Sequence, residues 1–90
     1  MGFLVHYHPQ VRMDIARMSE KLKVRLKKAI ETRLMTVPQR YGAPLRKTLK
    51  GYWKMRVGDY RIVFKVAGDE IIVFGIIHRK TVYRDIGKRF

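Results

Sequence analysis

Two hairpin signals in immediate succession constrain the fold of this chain more than any other feature. The β-branched and aromatic runs Tyr52–Val57 and Tyr60–Val66 flank Gly58-Asp59, a pair typical of two-residue hairpin turns. A third apolar run, Ile71–His78, follows the short turn at 67–70. Because such short turns join neighbouring antiparallel strands, this part of the chain is predicted to form a three-stranded antiparallel sheet.

The first half of the chain supplies one more strand and the helices that would cover this sheet. Phe3–Tyr7 has the composition of a strand. A helical stretch follows this strand. Ser19 lies within the stretch and is a candidate N-cap, so the stretch forms either one long helix or two. Pro38 and Gly42 would end it, and Pro44 predicts irregular backbone over 38–50. One apolar stripe at helical spacing marks the stretch: Val11, Ile15, Met18, Leu22, Leu26, Ala29, Ile30 and Leu34.

Length and composition limit the chain to one domain. We predict a single α+β domain over 1–90, with two N-terminal helices (or one long helix) packed on a small antiparallel sheet in the order β-α-α-β-β-β, and a last helical turn within 80–88. A hydrophobic fraction of 47% excludes a disordered basic tail, and zero Cys excludes a disulfide scaffold, a zinc ribbon and a thiol nucleophile. The longest apolar run, Ile71–Ile77, is too short to span a membrane. The first residues, Met1–His6, show no signal-peptide pattern. A cytoplasmic location without a membrane partner is therefore expected.

The predicted register gathers cations on one face of the sheet. Opposed residues of an antiparallel pair share a face, so the first turn sets Arg56 opposite Arg61 and the second sets Arg61 opposite Ile76. One face is then nearly all apolar: Trp53, Met55, Val57, Tyr60, Ile62, Phe64, Val66, Ile71, Val73 and Ile77. The other face carries Tyr52, Lys54, Arg56, Arg61, Val63, Lys65, Ile72, Phe74, Ile76 and His78.

Like charges directly opposite each other destabilise a sheet, and no acidic residue inside these strands relieves them. A solvated strand face is one interpretation. An anion site formed by Lys54, Arg56 and Arg61 with His78 is the other, and phosphate suits it because Arg binds phosphate through two parallel hydrogen bonds. The net charge of +14 also indicates a polyanionic partner.

The run from His78 to Arg84 leaves the last strand beside this face and contributes two more cations, Arg79 and Lys80, before its aromatic residue. That residue, Tyr83, either stacks on a nucleic-acid base or anchors the tail in the core. The residue type alone leaves both open.

Two sequence patterns resemble the RelE/ParE superfamily of type II toxins, in particular its RelE-like branch. The first is L-x-G-x-[YW]-x-x-R-V-G-x-Y-R, from Leu49 to Arg61, and the second is H-R-x-x-V-Y, from His78 to Tyr83. The motifs cover roughly residues 45–86, and element order and length extend the resemblance to the whole chain.

This resemblance implies a toxin encoded beside an antitoxin, its protein partner. RelE-like members are mRNA interferases that cut the message in the ribosomal A site without a metal or other cofactor, whereas ParE-like members poison DNA gyrase. The functional residues of RelE-like toxins are basic residues on the central strands, an Arg near the end of the last strand and a C-terminal Tyr. These correspond here to Lys54, Arg56, Arg61, Arg79 and Tyr83.

Cleavage of RNA without a metal needs a base for the ribose 2′-hydroxyl, cations on the phosphorane and an acid for the leaving oxygen. Lys54 is the candidate base, because flanking cations favour its neutral form. Arg61 and Arg56 would stabilise the phosphate. Arg79 or His78 would serve the leaving oxygen. The family often has Lys where this chain has Arg56, which cannot act as a base, so the imidazole of His78 is a candidate for part of the proton transfer.

Two other interpretations of the function remain possible from the sequence. One is a ParE-like toxin directed at gyrase, and the other is a basic nucleic-acid-binding module without catalysis. An antitoxin helix would find apolar residues either at the edges of the helical stripe or on the charged sheet face, at Val63, Ile72, Phe74 and Ile76.

Overall fold

A computed structural model describes residues 3–35, 42–44 and 51–89 as helices, strands and their connections. The order is that of an α+β domain, as predicted. The elements are β1 (Leu4–Tyr7), α1 (Val11–Ile15), α2 (Glu20–Ala29) with a π-helical turn (Ile30–Leu34), β2 (Ala43–Pro44), β3 (Trp53–Val57), β4 (Tyr60–Ala67), β5 (Glu70–His78), α3 (Val82–Ile86) and a 3₁₀ turn (Gly87–Arg89).

The helical stretch is divided into two helices at Ser19. Its backbone is extended, and its side-chain oxygen accepts a hydrogen bond of 3.2 Å from the backbone N–H of Leu22, as an N-cap does. The sequence is compatible with one helix or two, and this cap selects two. Of the predicted breakers, Pro38 lies outside the described residues, whereas Pro44 belongs to the short strand β2 and pairs with Trp53.

The five strands form one sheet in the order β1-β5-β4-β3-β2. Strands β3, β4 and β5 are antiparallel neighbours, and Arg56 lies opposite Arg61 and Val66 opposite Ile71, as the turns predicted. Strand β1 pairs with β5 in parallel. The sheet is therefore mixed rather than wholly antiparallel, because the chain between β1 and β5 is long enough to return in the same direction.

An irregularity in the middle of β5 changes the register beyond it. Val63 lies opposite Gly75 and Phe64 opposite Val73, so Phe74 is an extra residue on β5. Such a bulge moves every later side chain of the strand to the other face of the sheet.

Two sequence predictions fail for this reason. Arg61 lies opposite Ile77 and not Ile76, and His78 lies opposite Tyr60. Ile76 consequently packs in the core under the helices, and Ile77 takes the face predicted for Ile76.

The sheet has a buried cluster on each face. The larger one lies under α1 and α2 and contains Val11, Leu26, Ala29, Ile30, Leu34, Met55, Val57, Ile62, Phe64, Ile71, Val73 and Ile76. On the opposite face α3 contributes Val82 and Ile86, which pack with Val63 and Ile77. Within the described ranges, no helix is long and apolar enough to cross a membrane.

Candidate functional site

Three cations of the β3–β4 hairpin lie on the sheet face that α3 partly covers. Lys54 lies opposite Val63, which is in the cluster under α3, and Arg56 lies opposite Arg61 two residues further along each strand. Residues two apart on a strand share a face, so all three side chains leave the same side of the sheet. We call Lys54, Arg56 and Arg61 the cationic face.

Helix α3 places an aromatic hydroxyl on this face. The Nζ of Lys54 donates a hydrogen bond of 3.1 Å to the hydroxyl oxygen of Tyr83, and the same Nζ lies 5.3 Å from the centre of the Tyr83 ring. The neighbours Val82 and Ile86 are buried and anchor the helix, whereas Tyr83 is 38% exposed. Tyr83 is therefore not the core anchor, and part of the residue remains open to solvent beside the cations.

The guanidinium group of Arg61 is fixed by the hairpin turn. Its Nη1 donates to the carbonyl oxygens of Gly58 at 3.2 Å and of Tyr60 at 3.0 Å. Arg61 is half-buried and Arg56 is exposed. One permanent cation is thus held in a defined orientation, and its neighbour across the hairpin extends into solvent.

Arg79 lies at the same end of the sheet. Its backbone N–H donates to the carbonyl oxygen of Asp59 at 2.8 Å, and its Nε lies 3.7 Å from the carboxylate of Asp59. Both side chains are more than half exposed, and such ion pairs contribute little to stability. The Arg79 guanidinium can therefore leave Asp59 at small cost.

His78 does not join the cationic face. It shares a face with Tyr60, its partner across the β4–β5 ladder, and the two rings meet edge to face with centres 5.5 Å apart. Its Nδ1 accepts a hydrogen bond of 3.2 Å from the backbone N–H of Lys80. The prediction that His78 lies beside Lys54 and Arg61 is wrong, because the bulge at Phe74 reverses the alternation of β5.

A family model described as the ParE toxin of the type II toxin–antitoxin system parDE matches residues 5–83 of this chain. The chain belongs to the RelE/ParE superfamily of type II toxins. The matched region contains both motifs on which the resemblance was based and every residue of the cationic face.

Named relatives and solved structures agree with this assignment. Toxin RelE of Mycobacterium tuberculosis is 32% identical over 79% of this chain and 75% of its own length. Toxin RelG of the same species is 24% identical over 93% of this chain and 99% of its own length. A chain of the toxin–antitoxin complex RelBE2 of that species superposes with a TM-score of 0.80, at 22% identity, over 88% of this chain and 100% of its own length.

An ion pair holds the tail of the toxin beyond α3. Nη1 of Arg89 donates to the carboxylate of Asp14 at 2.7 Å and to the carbonyl oxygen of Phe74 at 2.8 Å, and the carboxylate of Asp14 accepts from the backbone N–H of Ile76 at 3.0 Å. The hydrogen bond with Asp14 raises the pKa of Arg89, although its burial opposes this. The pair ties α1, β5 and the C-terminal turn together and so fixes the position of α3.

The sheet-face surface predicted for an antitoxin helix is only partly available. Val63 is fully buried under α3, and Ile76 is 4% exposed in the core under α1 and α2. The prediction is wrong for these two residues. Ile72 and Phe74 remain partly exposed.

Sequence reasoning missed the residues that long-range packing brings in. Asp14 and Arg89 are 75 positions apart, and no local pattern connects them. Arg25 and Lys28 of α2 lie near Arg56, which only the packing of α2 against the hairpin determines. The one usable local signal was Gly75, because a glycine inside a strand often marks a bulge.

Proposed function

We propose that this toxin is a ribosome-dependent mRNA endonuclease that cleaves by attack of a ribose 2′-hydroxyl on the adjacent phosphate, without a metal ion. The observation that carries the proposal is the hydrogen bond between Lys54 Nζ and Tyr83 on the same face as Arg56 and Arg61. This face offers one group that can exchange a proton, one ring that can stack on a base and two permanent cations, and the reaction uses all of them.

The cations stabilise the phosphate in this mechanism. Negative charge accumulates on the non-bridging oxygens when the 2′-oxygen attacks, and preorganised cations lower the barrier most. Arg61 is preorganised by its bonds to Gly58 and Tyr60. Arg56, more exposed, would close on the phosphate when RNA binds.

Lys54 is the group proposed to take the proton of the 2′-hydroxyl. Tyr83 holds its Nζ in place, and its partly exposed ring is proposed to stack on a nucleotide. Arg79 is proposed to stabilise the negative charge on the leaving 5′-oxygen by a hydrogen bond after it releases Asp59. Because an arginine is not deprotonated in a protein, the proton that this oxygen takes comes from solvent water. His78 has no part in this scheme, because its ring lies on the other side of the sheet.

The small number of acid–base groups on this face supports dependence on the ribosome. The three residues of the cationic face include no histidine, and with Tyr83 they offer few acid–base groups, so a large part of the rate would come from presenting the RNA in a reactive geometry. A message held in the ribosomal A site is fixed in that way. The net charge of +14 favours binding to such a polyanionic assembly.

A cognate antitoxin is the proposed protein partner. Support comes from the similar fold found in the RelBE2 complex, a toxin bound to its antitoxin. The charge of the chain favours an antitoxin with an acidic segment.

The decisive experiment maps new 5′ ends on a message in a reconstituted translation reaction. Cuts at fixed positions in A-site codons are expected, and they should disappear without ribosomes. Arg61→Ala should slow cleavage about 10²–10³-fold, as loss of a preorganised charge-stabilising donor does, without change in the circular dichroism spectrum. Arg17→Ala, an exposed arginine distant in sequence from both hairpin strands, is the matched control. An unchanged single-turnover rate for Arg61→Ala would contradict the assignment of Arg61 as the cation that stabilises the phosphate.

A second candidate function is a ParE-like toxin directed at DNA gyrase, because the matching family model carries the ParE name. An intact message at high toxin concentration, with inhibited supercoiling by gyrase, would favour it. RNA binding with neither effect would leave a non-catalytic binding module.

A further inference from the structure

A second group of cations lies between α2 and the β3–β4 turn. Its side chains surround a cavity of about 330 Å³, which we call the α2–β3 pocket. The residues of its wall that matter here are Arg25, Lys28, Thr32, Arg33, Arg56 and Gly58.

Helical spacing and a glycine turn build this pocket. Positions 25, 28 and 32 are three and four residues apart, so they share one face of the helix. Gly58 has φ 59°, and a Cβ at that position would lie 3.1 Å from Nη1 of Arg25. The guanidinium of Arg25 therefore lies against the bare backbone of the turn. The hydroxyl of Thr32 donates to the carbonyl oxygen of Lys28 at 2.7 Å and so lies flat on the helix.

The described lining of the pocket is basic. Four cations, Arg25, Lys28, Arg33 and Arg56, line it, and no carboxylate is among the lining residues that the structure describes. The nearest acids in sequence are directed elsewhere, since Glu31 lies 3.9 Å from Lys27 and Asp59 lies 3.7 Å from Arg79. A compact anion would relieve this repulsion, and guanidinium groups bind the oxygens of phosphate in pairs.

We propose that the α2–β3 pocket binds a backbone phosphate of the RNA strand that the cationic face engages. The link is Arg56, which lines the pocket and lies opposite Arg61 in the hairpin. The pocket lies on the α2 side of the sheet and the cationic face on the α3 side, so a strand seated on Lys54 and Arg61 would reach the pocket by passing Arg56 at the end of the hairpin. This inference rests on the proposed function only in taking RNA as the ligand.

The test measures binding without cleavage. The probe is a fluorescent single-stranded RNA of about 12 nucleotides, long enough for several phosphate contacts and 2′-O-methylated so that no 2′-hydroxyl can attack. The pocket variant is Arg25→Gln/Lys28→Gln. Its control, Arg17→Gln/Lys21→Gln, removes the same charge from exposed positions outside the pocket. Fluorescence anisotropy between about 50 and about 200 mM salt gives affinity and its salt dependence.

The pocket variant should bind roughly tenfold more weakly than wild type, and the control less than about threefold. The slope of log affinity against log salt should fall by about 1.4 for two lost contacts to a single strand. Equal losses in the two variants would overturn the proposal, because net charge alone would then explain them. Normal RNA binding with weakened antitoxin binding in the pocket variant would also overturn it and make the pocket a protein-docking site.

A second measurement covers the case in which the pocket variant does not fold. Titration of the wild-type toxin with the same RNA should shift the backbone amide signal of Gly58 together with that of Lys54. A shift at Lys54 without one at Gly58 contradicts the pocket. Absence of cleavage by the toxin with a shift at both positions would contradict the nuclease proposal and leave the pocket standing.

Discussion

Gly75 lies directly beneath the guanidinium group of Arg89. A Cβ at position 75 would lie 2.6 Å from Nη1 of Arg89 and 3.0 Å from Cδ1 of Ile86. The glycine therefore provides the space through which the tail reaches past the edge of β5 to Asp14. Since the same tail follows α3, this small residue in the sheet contributes to the position of Tyr83.

Gly75→Ala is expected to destabilise the toxin by about 1–3 kcal/mol, because an added methyl group displaces Arg89 or Ile86 from a filled space. Urea unfolding followed by Trp53 fluorescence measures the change. Gly87→Ala is the control, since a Cβ there meets nothing within 4 Å and φ is −59°. That change should be neutral or slightly stabilising. Equal effects at the two positions would show that Arg89 does not need the space above Gly75.

Arg89→Met should cost about 3 kcal/mol, because it leaves the Asp14 carboxylate, 10% exposed, without its cation. The double variant Asp14→Asn/Arg89→Met should recover much of this loss, since no unpaired charge remains. Lys27→Met, which breaks the exposed pair with Glu31, should cost less than about 1 kcal/mol. Denaturant midpoints of wild type, Asp14→Asn, Arg89→Met, the double variant and Lys27→Met give the comparison. A double variant as unstable as the sum of the single variants would exclude coupling between Asp14 and Arg89.

Substitutions of Tyr83 separate its ring from its hydroxyl. Tyr83→Ala removes base stacking and should weaken RNA binding by about 1–3 kcal/mol. Tyr83→Phe keeps the ring and loses the hydrogen bond between its hydroxyl and Lys54, so it should lower the single-turnover cleavage rate and change its pH profile more than the affinity. If both variants lose affinity equally and keep the rate, Tyr83 has no part in positioning Lys54.

His78→Gln should leave cleavage within about threefold of wild type, below the usual 10²–10⁴-fold contribution of a general acid or base. The reason is its place beside Tyr60, on the face away from Lys54. Loss of the edge-to-face contact should reduce stability by about 1 kcal/mol. A cleavage defect of 10²-fold or more in the folded variant would restore His78 to the mechanism.

The contrast between His78 and Arg61 shows how far sequence reasoning reaches in this fold. The pairing of Arg56 with Arg61 follows from a two-residue turn, which fixes register locally, and it was predicted correctly. The position of His78 depends on counting along β5 through the bulge at Phe74, and one extra residue reverses the outcome. Contacts set by tertiary packing, such as Arg25 against Gly58, leave no periodic signal in the chain.

Asp85 should make the attachment of α3 sensitive to acid. A hydrogen bond from the Thr81 side chain, and a second one from Arg84, hold the pKa of Asp85 below its usual value. A lowered pKa in the folded state means that the carboxylate favours folding. Its contribution is complete above the unfolded pKa of about 4 and is lost as the pH falls through the folded value.

Asp85→Asn removes the charge at every pH. The variant should therefore be less stable than wild type at neutral pH, and the difference should shrink as the pH falls below about 4. Urea midpoints at a series of pH values measure the difference, and the amide signals of Tyr83 and Gly87 report whether α3 itself loosens. A difference that is constant with pH would mean that the side-chain shape of Asp85, and not its charge, holds the first turn of α3 in place.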